Sequence, residues 1–209
     1  MTANPIVHVI DDDDAVRDSL KFLLHSAHIE VQTYGSAKSF LAALPTLNAG
    51  CIITDVRMPE ISGVDLLRHL NERGIGMPVI VITGHGDVQL AVEAMKIGAV
   101  DFLEKPFDDD VLLASVKSAL HRWEKDAHRE AERTELLERL AALSNREREV
   151  LEGLVVGNPN KIIAHDLGIS PRTVEIYRAN VMAKMKAGSL SELVRMALVA
   201  GVLNSAPGK

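Results

Sequence analysis

The sequence predicts an α/β fold, a doubly wound parallel sheet of five strands, followed by a smaller all-helical domain. Two observations predict this arrangement. Short apolar runs alternate with helical patterns five times over residues 6–120, which is typical of βα units with helices on both faces of one sheet. From residue 144 onward the apolar spacing is helical throughout. Residues 121–143 are densely charged, lack glycine and proline, and are expected to form an exposed helical linker between regions 1–120 and 144–209.

The first region contains five strand and helix pairs. The strands are predicted near residues 6–10, 30–34, 51–54, 79–83 and 100–104, and all but the second read as buried strands. The helices are expected over about 15–27 and 36–44, and after Ser62, Asp87 and Asp108. Gly74 and Gly98 end the third and fourth helices. The apolar faces are expected to include Val16, Leu20, Phe22, Leu23 and Leu24 on the first helix, and Leu90, Val92 and Met95 on the fourth.

The third region, residues 144–209, is predicted to form four helices. Ser144 and Glu147 fit a capping box that opens a helix to about Val156, and further helices are expected over residues 160–167, 171–185 and 189–199. Gly168 lies in the tight turn between the second and third of these helices. A scaffold helix, a tight turn and a polar second helix match the helix-turn-helix, whose second helix enters the DNA major groove.

Composition and charge narrow the function classes. The chain has 209 residues, of which 47% are hydrophobic, and its apolar runs fall far short of the ~20 residues of a membrane span, so a cytoplasmic protein is expected. The single cysteine, Cys51, excludes an internal disulfide and is expected to be an inert buried thiol. The net charge is −6, but residues 1–120 carry 9 Lys and Arg against 17 Asp and Glu, whereas residues 144–209 carry 9 against 6. An acidic module is therefore joined to one that can approach phosphates.

Polar side chains close four of the apolar runs. Asp11 and Asp12 follow the first strand and Asp55 follows the third. Thr83 ends the fourth strand and Lys105 follows the fifth. Because open α/β sheets bind ligands outside the carboxyl ends of their parallel strands, these residues are expected to form one site.

Three carboxylates beside a lysine fit a Mg²⁺ ion and a phosphoryl group. Asp55 would accept the phosphoryl group as an acyl phosphate, Asp12 would share the metal with it, and Asp11 could do so through water. Lys105 would bind the phosphoryl oxygens as a point charge, and Thr83 would offer them a hydroxyl.

The first region resembles the receiver domain of two-component response regulators in four motifs: Ile10-Asp11-Asp12-Asp13, Thr54-Asp55-Val56-Arg57-Met58-Pro59, Ile82-Thr83-Gly84 and Glu104-Lys105-Pro106-Phe107. The resemblance implies the sheet order 2-1-3-4-5, Asp55 as the phosphoacceptor, Mg²⁺ as cofactor, and Asp11 and Asp12 as the acid pair. It also implies the Arg57 carbonyl as a metal ligand, Thr83 and Phe102 as a switch pair, and a cis Lys105–Pro106 peptide bond.

The third region resembles the LuxR/FixJ-type DNA-binding domain in three motifs: Asn145-Arg146-Glu147-Arg148-Glu149-Val150-Leu151, Asn160-Lys161-Ile162-Ile163-Ala164 and Ile169-Ser170-Pro171-Arg172-Thr173-Val174-Glu175. With Gly84-His85-Gly86-Asp87 and residues 178–185, the likeness covers nearly the whole chain and points to the nitrogen-fixation regulators of this type. It implies a haem-containing, oxygen-sensing histidine kinase like FixL as phosphodonor, with promoter DNA and RNA polymerase as further partners.

On the predicted recognition helix the apolar stripe consists of Val174, Tyr177, Val181 and Met185, so the remaining side chains are expected to meet DNA. The expected phosphate contacts are Arg172, Arg178 and Lys184, with Lys161 as a further contact to the DNA backbone. The residues that could reach base edges are Thr173, Glu175, Ile176 and Ala179.

The expected function is a phosphorylation-controlled transcription activator. Phosphate on Asp55 would draw Thr83 inward and free the Phe102 face. The last strand and helices of the receiver would then pair with another receiver as a homodimer, or release the DNA-binding domain. No enzymatic activity is expected beyond transfer from phosphohistidine to Asp55 and slow hydrolysis. Two alternatives stay open, a phosphohydrolase with an aspartyl-phosphate intermediate and a phosphate-relay protein whose helical region binds protein. A DNA affinity that falls with salt would distinguish the DNA-binding hypothesis from both.

Overall fold

A computed structural model describes residues 6–84 and 88–202. The chain divides into two compact units between Asp126 and Ala127. This boundary falls inside the segment 121–143 that the sequence analysis treats as a linker. In the described part of the chain, no helix is both long enough and apolar enough to cross a membrane.

The first unit is built on one parallel sheet of five strands. In chain order these are β1 (Ile6–Ile10), β2 (Glu30–Tyr34), β3 (Gly50–Asp55), β4 (Val79–Thr83) and β5 (Asp101–Glu104). Their order in the sheet is β2-β1-β3-β4-β5 and every neighbouring pair is parallel, as predicted. Because Ile10 pairs with Thr54 and Asp55 pairs with Ile82, the last residues of β1, β3 and β4 end close together at one edge of the sheet.

Four helices and the beginning of a fifth cover this sheet. They are α1 (Asp14–Ser26), α2 (Ala37–Ala43), α3 (Gly63–Glu72), α4 (Val88–Ile97) and α5 (Asp109–Ala141), with a short 3₁₀ turn over Leu44–Thr46. Ser36 and Ser62 are N-caps whose hydroxyl oxygens accept the amide hydrogens of Ser39 and Asp65. Asp87, predicted to precede the fourth helix, lies outside the described residues.

Each face of the sheet carries its own apolar core. On one face, Ile52 and Val81 pack with side chains of α2, α3 and α4. On the other face, Ile53 and Ile80 pack with side chains of α1 and α5. Cys51 belongs to this second core, and burial raises the pKa of its thiol to about 12, so the predicted inert thiol is confirmed.

Three predictions about apolar burial in the first unit are wrong. Phe22 is 77% exposed, because Leu20 and Leu24 define the buried face of α1 and a residue midway between them points away from it. On α4 the fully buried residues are the small Ala91 and Ala94, while Val92 and Met95 are more than two-fifths exposed. β5 is not a buried strand: as the edge strand it buries only Leu103.

The second unit contains the end of α5 and four further helices, α6 (Asn145–Val155), α7 (Asn160–Leu167), α8 (Pro171–Met185) and α9 (Leu190–Val199). The predicted capping box at the start of α6 is present: Ser144 Oγ accepts from the Glu147 amide, and Glu147 Oε2 accepts from the Ser144 amide. Gly168 ends α7 in the left-handed region, with φ of 65°, where a side chain would be strained.

The end of the predicted linker is not exposed. α5 continues unbroken to Ala141, and Leu136, Leu140 and Leu143 are buried in the apolar core of the second unit. The spacing of four residues places Leu136 and Leu140 on one face of α5, and Leu143 follows just after the end of the helix. This segment therefore belongs to the helical domain as part of its core.

Candidate functional site

The structure brings Asp11, Asp55 and Lys105 together at the carboxyl edge of the sheet. Lys105 Nζ donates to Asp55 Oδ1 at 2.7 Å and to Asp11 Oδ2 at 3.0 Å. The two carboxylates follow β1 and end β3, which are neighbours in the sheet, and the lysine follows β5. The resulting site holds two negative charges and one positive charge in a partly enclosed pocket, as the strand-end argument predicted.

The loop after β3 fixes the Asp55 carboxylate. The Arg57 amide donates to Asp55 Oδ2 at 2.6 Å, so each carboxylate oxygen accepts one hydrogen bond. The loop then closes tightly: a Cβ on Gly63 would lie 2.2 Å from the Asp55 carbonyl oxygen. A glycine is required where the first residue of α3 meets the end of β3. The side chain of Asp55 stays 12% exposed.

Burial and charge oppose one another in the pocket. Burial raises the pKa of Asp11, and this effect exceeds the lowering by the Asp13 amide and by Lys105. Burial lowers the pKa of Lys105, but its hydrogen bonds to Asp55 and Asp11 outweigh that effect and leave the pKa raised. The amine is therefore charged at neutral pH and is the group that offsets the two carboxylates.

The donors near Asp55 suit Mg²⁺ in their chemistry, since this hard cation takes oxygen ligands. The predicted ligands are the carboxylates of Asp11, Asp12 and Asp55 and the carbonyl of Arg57. The structure brings Asp11 and Asp55 to one amine, whereas the Asp12 side chain is exposed. Across residues 6–84 and 88–202, no three His, Cys, Asp or Glu side chains are grouped closely enough to hold a metal ion. The expected three-carboxylate group is thus present only in part, and the metal ligands stay a prediction.

Thr83 and Phe102, the predicted switch pair, lie on neighbouring strands. The Thr83 side chain is buried, and its hydroxyl donates to the Gly84 carbonyl at 3.2 Å. Phe102 on β5 is 42% exposed. The Lys105–Pro106 peptide bond is cis, as the resemblance implied.

Sequence reasoning missed one residue of this site, Arg17. Its Nη1 donates to the Asp11 carbonyl at 2.6 Å, and its other nitrogen contacts the Asp14 carboxylate. Arg17 lies at the end of the first turn of α1 and so ties the loop that carries Asp11 to the helix after it. The available signal was a basic residue in the helix that directly follows the acidic end of β1.

The second candidate surface is α8. Arg172, Glu175, Ile176 and Ala179 are exposed on it, with Ile176 at 57%, and Lys161 on α7 is exposed as well. The buried residues are Val174, Val181 and Met185, with Tyr177 half-buried beside the same core, so the predicted apolar stripe is confirmed. These exposed residues are of the types expected on a helix that contacts DNA bases.

Three residues predicted to contact DNA have partners within the chain. Lys184 Nζ donates to Glu147 Oε2 at 2.6 Å and to the Ala142 carbonyl at 3.3 Å. Thr173 shares a hydrogen bond with the Ser170 hydroxyl at the N-cap of α8. Arg178 is half-buried and reaches the Asn160 side-chain oxygen at 3.5 Å. Lys184 is therefore a structural cation in this structure, because it neutralises a buried glutamate.

The comparison with known families agrees with this geometry. Residues 7–117 match the response regulator receiver domain, and residues 141–197 match the bacterial regulatory proteins of the luxR family. The chain belongs to the response regulators. It is a two-component response regulator with a LuxR-type helix-turn-helix DNA-binding domain, and its class of function is transcription regulation.

Individual relatives of this response regulator cover almost its full length. It is 64% identical to the transcriptional regulatory protein FixJ of Azorhizobium caulinodans, over 94% of this chain and 93% of the relative. The crystal structure of full-length FixJ from B. japonicum is 55% identical, with a TM-score of 0.61 over 97% of this chain and all of that one. The structure of the response regulator StyR is 40% identical, with a TM-score of 0.84 over 94% and 99% of the two chains.

Proposed function

We propose that this response regulator is a phosphorylation-controlled activator of transcription with Asp55 as its phosphoacceptor. The observation that carries the proposal is the position of the Lys105 amine, 2.7 Å from Asp55 and 3.0 Å from the buried Asp11. A phosphoryl group on Asp55 adds a charge of roughly −1.5 to −2 next to this amine, which then binds the new oxygens. The same amine thus neutralises the resting pocket and senses the phosphorylated one.

Phosphotransfer follows from the way Asp55 is held. One of its oxygens attacks the phosphorus of a phosphohistidine; the new P–O bond forms as the P–N bond breaks, and the released imidazole takes up a proton from solvent. The Arg57 amide and the Lys105 amine orient the carboxylate for this attack. Asp11, Asp12, Asp55 and the Arg57 carbonyl would hold Mg²⁺, which supplies positive charge to the phosphoryl oxygens. The chain turns over no other substrate, and its only further reaction is slow hydrolysis of its own acyl phosphate.

The output is DNA binding by a dimer. Thr83 would donate to the phosphoryl oxygens rather than to Gly84, which shifts the exposed Phe102 face and pairs two receivers. The similarity to FixJ proteins supports nitrogen-fixation genes as targets, low oxygen as the signal, a FixL-like histidine kinase as phosphodonor and RNA polymerase as partner at the promoter. Promoter binding places the protein in the cytoplasm.

The acceptor is tested by Asp55→Asn. After incubation with a small phosphodonor and Mg²⁺, the wild-type chain is expected to gain one phosphoryl group that hydroxylamine removes, and the variant none, as measured by intact mass. Asp18→Asn, at an exposed aspartate of α1, is the matched control and is expected to behave as wild type. A hydroxylamine-sensitive phosphoryl group on the folded Asp55→Asn chain would place the acceptor elsewhere.

A further inference from the structure

The carboxyl ends of α5 and α8 are held together by a cation from each. Arg139 on α5 donates through Nη1 to the carbonyl of Met185, the last residue of α8, at 3.2 Å. In return, Lys184 on α8 donates to the carbonyl of Ala142, which directly follows α5. The last carbonyls of a helix have no partner within it and carry partial negative charge, so both cations bind favourable positions.

The donors of the Arg139 side chain are only partly satisfied. Its Nη2 donates to Glu135 Oε1 at 2.6 Å, and the side chain is 19% exposed. Its Nε is buried without a hydrogen-bond partner among the described residues. An unsatisfied buried donor costs free energy. The buried Nε offsets part of the stability that the contacts to Glu135 and Met185 contribute, so we relate this arginine to its geometry at the end of α8.

Arg139 acts on the helix that presents the candidate DNA contacts. Met185 ends α8, and Ile176 and Arg172 lie nine and thirteen residues before it, about 13 Å and 20 Å along the axis at 1.5 Å per residue. A change of direction at the Met185 end is therefore amplified at the exposed end. Phosphate contacts by long flexible side chains tolerate such a change, whereas contacts to base edges do not.

We infer that Arg139 is a positioning residue for DNA recognition: by holding the Met185 carbonyl it sets the direction of α8. The inference rests on the proposed role of α8 as the recognition helix. It adds a residue outside the helix-turn-helix, on the last turns of the long α5, to those that determine sequence discrimination. Arg139 touches no base itself and acts only through the carboxyl end of α8.

The test uses the full chain, phosphorylated with a small phosphodonor and Mg²⁺, and two DNA duplexes. One duplex is selected from a random pool with the phosphorylated wild-type protein, and the other is shuffled to the same composition. Arg139→Met keeps the apolar stem but loses the hydrogen bonds to Met185 and Glu135. The affinity for the selected duplex is therefore expected to fall about tenfold, the effect of one mismatched base pair. The affinity for the shuffled duplex and the salt slope are expected to stay as in wild type. Arg139→Lys retains a donor for Met185 and is expected to recover most of the discrimination.

Arg133→Met is the matched control, because Arg133 is an exposed arginine of the same helix that pairs only loosely with Glu130, at 3.9 Å. It is expected to leave both affinities unchanged. Equal loss on both duplexes for Arg139→Met would show a purely structural role, and a salt slope reduced by about 0.9 would show a direct phosphate contact. Either result, or no change at all, overturns the inference.

Ile176→Ala separates this inference from the proposed function. If it lowers discrimination while Arg139→Met does not, α8 reads DNA without help from Arg139, and only the positioning role is rejected. If neither variant changes discrimination, the assignment of α8 as the recognition helix fails as well.

Discussion

The candidate phosphoacceptor site gathers side chains from positions 11, 55 and 105, whereas most candidate DNA contacts lie on one helix, α8. In the first unit the charged groups bind one another: Lys105 lies between Asp11 and Asp55. In the second unit the side chains proposed to act are mostly the exposed ones, whereas the Lys184 amine, on a side chain that is 42% exposed, is paired with Glu147. Internal pairing thus assembles the candidate phosphoacceptor site, whereas on the candidate DNA-binding surface it engages one of the predicted contacts.

The difference reflects where each site lies in its fold. Parallel strands bring their carboxyl ends to one edge, so residues far apart in sequence become neighbours through topology. On a single helix the neighbours are set by a spacing of three or four residues, and everything off the apolar stripe competes for solvent, DNA or an internal partner. The predictions below test how strongly each arrangement depends on its buried partners.

The largest expected effect concerns where the DNA-binding domain begins. A fragment of residues 127–209 keeps Leu136, Leu140 and Leu143, whereas a fragment of residues 144–209 loses all three from its core. At about 2 kcal/mol for each buried leucine, the shorter fragment is expected to lose about 6 kcal/mol, enough to unfold a small domain. Urea unfolding followed by circular dichroism measures the difference.

The matched pair within the longer fragment is Leu140→Ala against Leu137→Ala, since Leu140 is buried and its neighbour Leu137 is 44% exposed. Only the first is expected to destabilise strongly. Equal stability of the two fragments would mean that the end of α5 is dispensable and that the sequence-based boundary at residue 144 describes the domain better.

This boundary shows what sequence could and could not establish. The strands of the sheet and the caps of α2, α3 and α6 were predictable, because apolar period and capping chemistry are local signals. The order of the strands in the sheet came instead from the resemblance to receiver domains. The continuity of α5 was not, because its charged middle reads as a linker while the leucines at its end reveal their role only against the partners they pack on. The predicted burial of Phe22 and Val92 was wrong for a similar reason, because neighbouring elements decide which apolar residues face the core.

The residues of the candidate sites also divide into those that the sequence could predict and those that it could not. The proximity of Asp11, Asp55 and Lys105 was predictable from the strand ends, since the parallel topology of the backbone brings these positions together. The internal pairing of Lys184 was not, because Glu147 is 37 residues away and looked fully engaged by its capping box. The sequence pattern predicts which strand ends lie together, whereas the choice of one hydrogen-bond partner among several is visible only in the structure.

The next largest effect is expected from Lys105→Met. Removing the amine leaves Asp11 and Asp55 facing each other without a cation, and breaking a buried pair costs about 3 kcal/mol, the lower end of the usual range because the amine is 30% exposed. Unfolding of the receiver can be followed by the fluorescence of Trp123, the chain's single tryptophan. Lys117→Met, at an exposed lysine of α5, is the control and is expected to change stability little. Equal behaviour of the two variants would show that the pocket is not held together by its charges.

The smallest effect is expected from Glu147, the buried charge of the DNA-binding unit. The hydrogen bond from Lys184 and that from the Ser144 amide lower the pKa of Glu147 from its ordinary 4.5 to about 2. A carboxyl whose pKa is lower in the folded state contributes stability above its ordinary pKa, and this contribution is lost as pH falls from about 4.5 to about 2.

Glu147→Gln removes that contribution at every pH, so the stability difference between wild type and variant is expected to be constant from neutral pH down to about pH 5 and then to shrink toward pH 2. Urea unfolding of fragment 127–209 at a series of pH values measures this difference directly, and subtraction cancels the titration of the other carboxylates. Glu149→Gln, which removes the same charge from the exposed pair with Arg146, is expected to show no such closing difference. A difference for Glu147→Gln that stayed constant down to pH 2 would mean that Lys184 does not stabilise the carboxylate, and Lys184 would again be available for DNA phosphates.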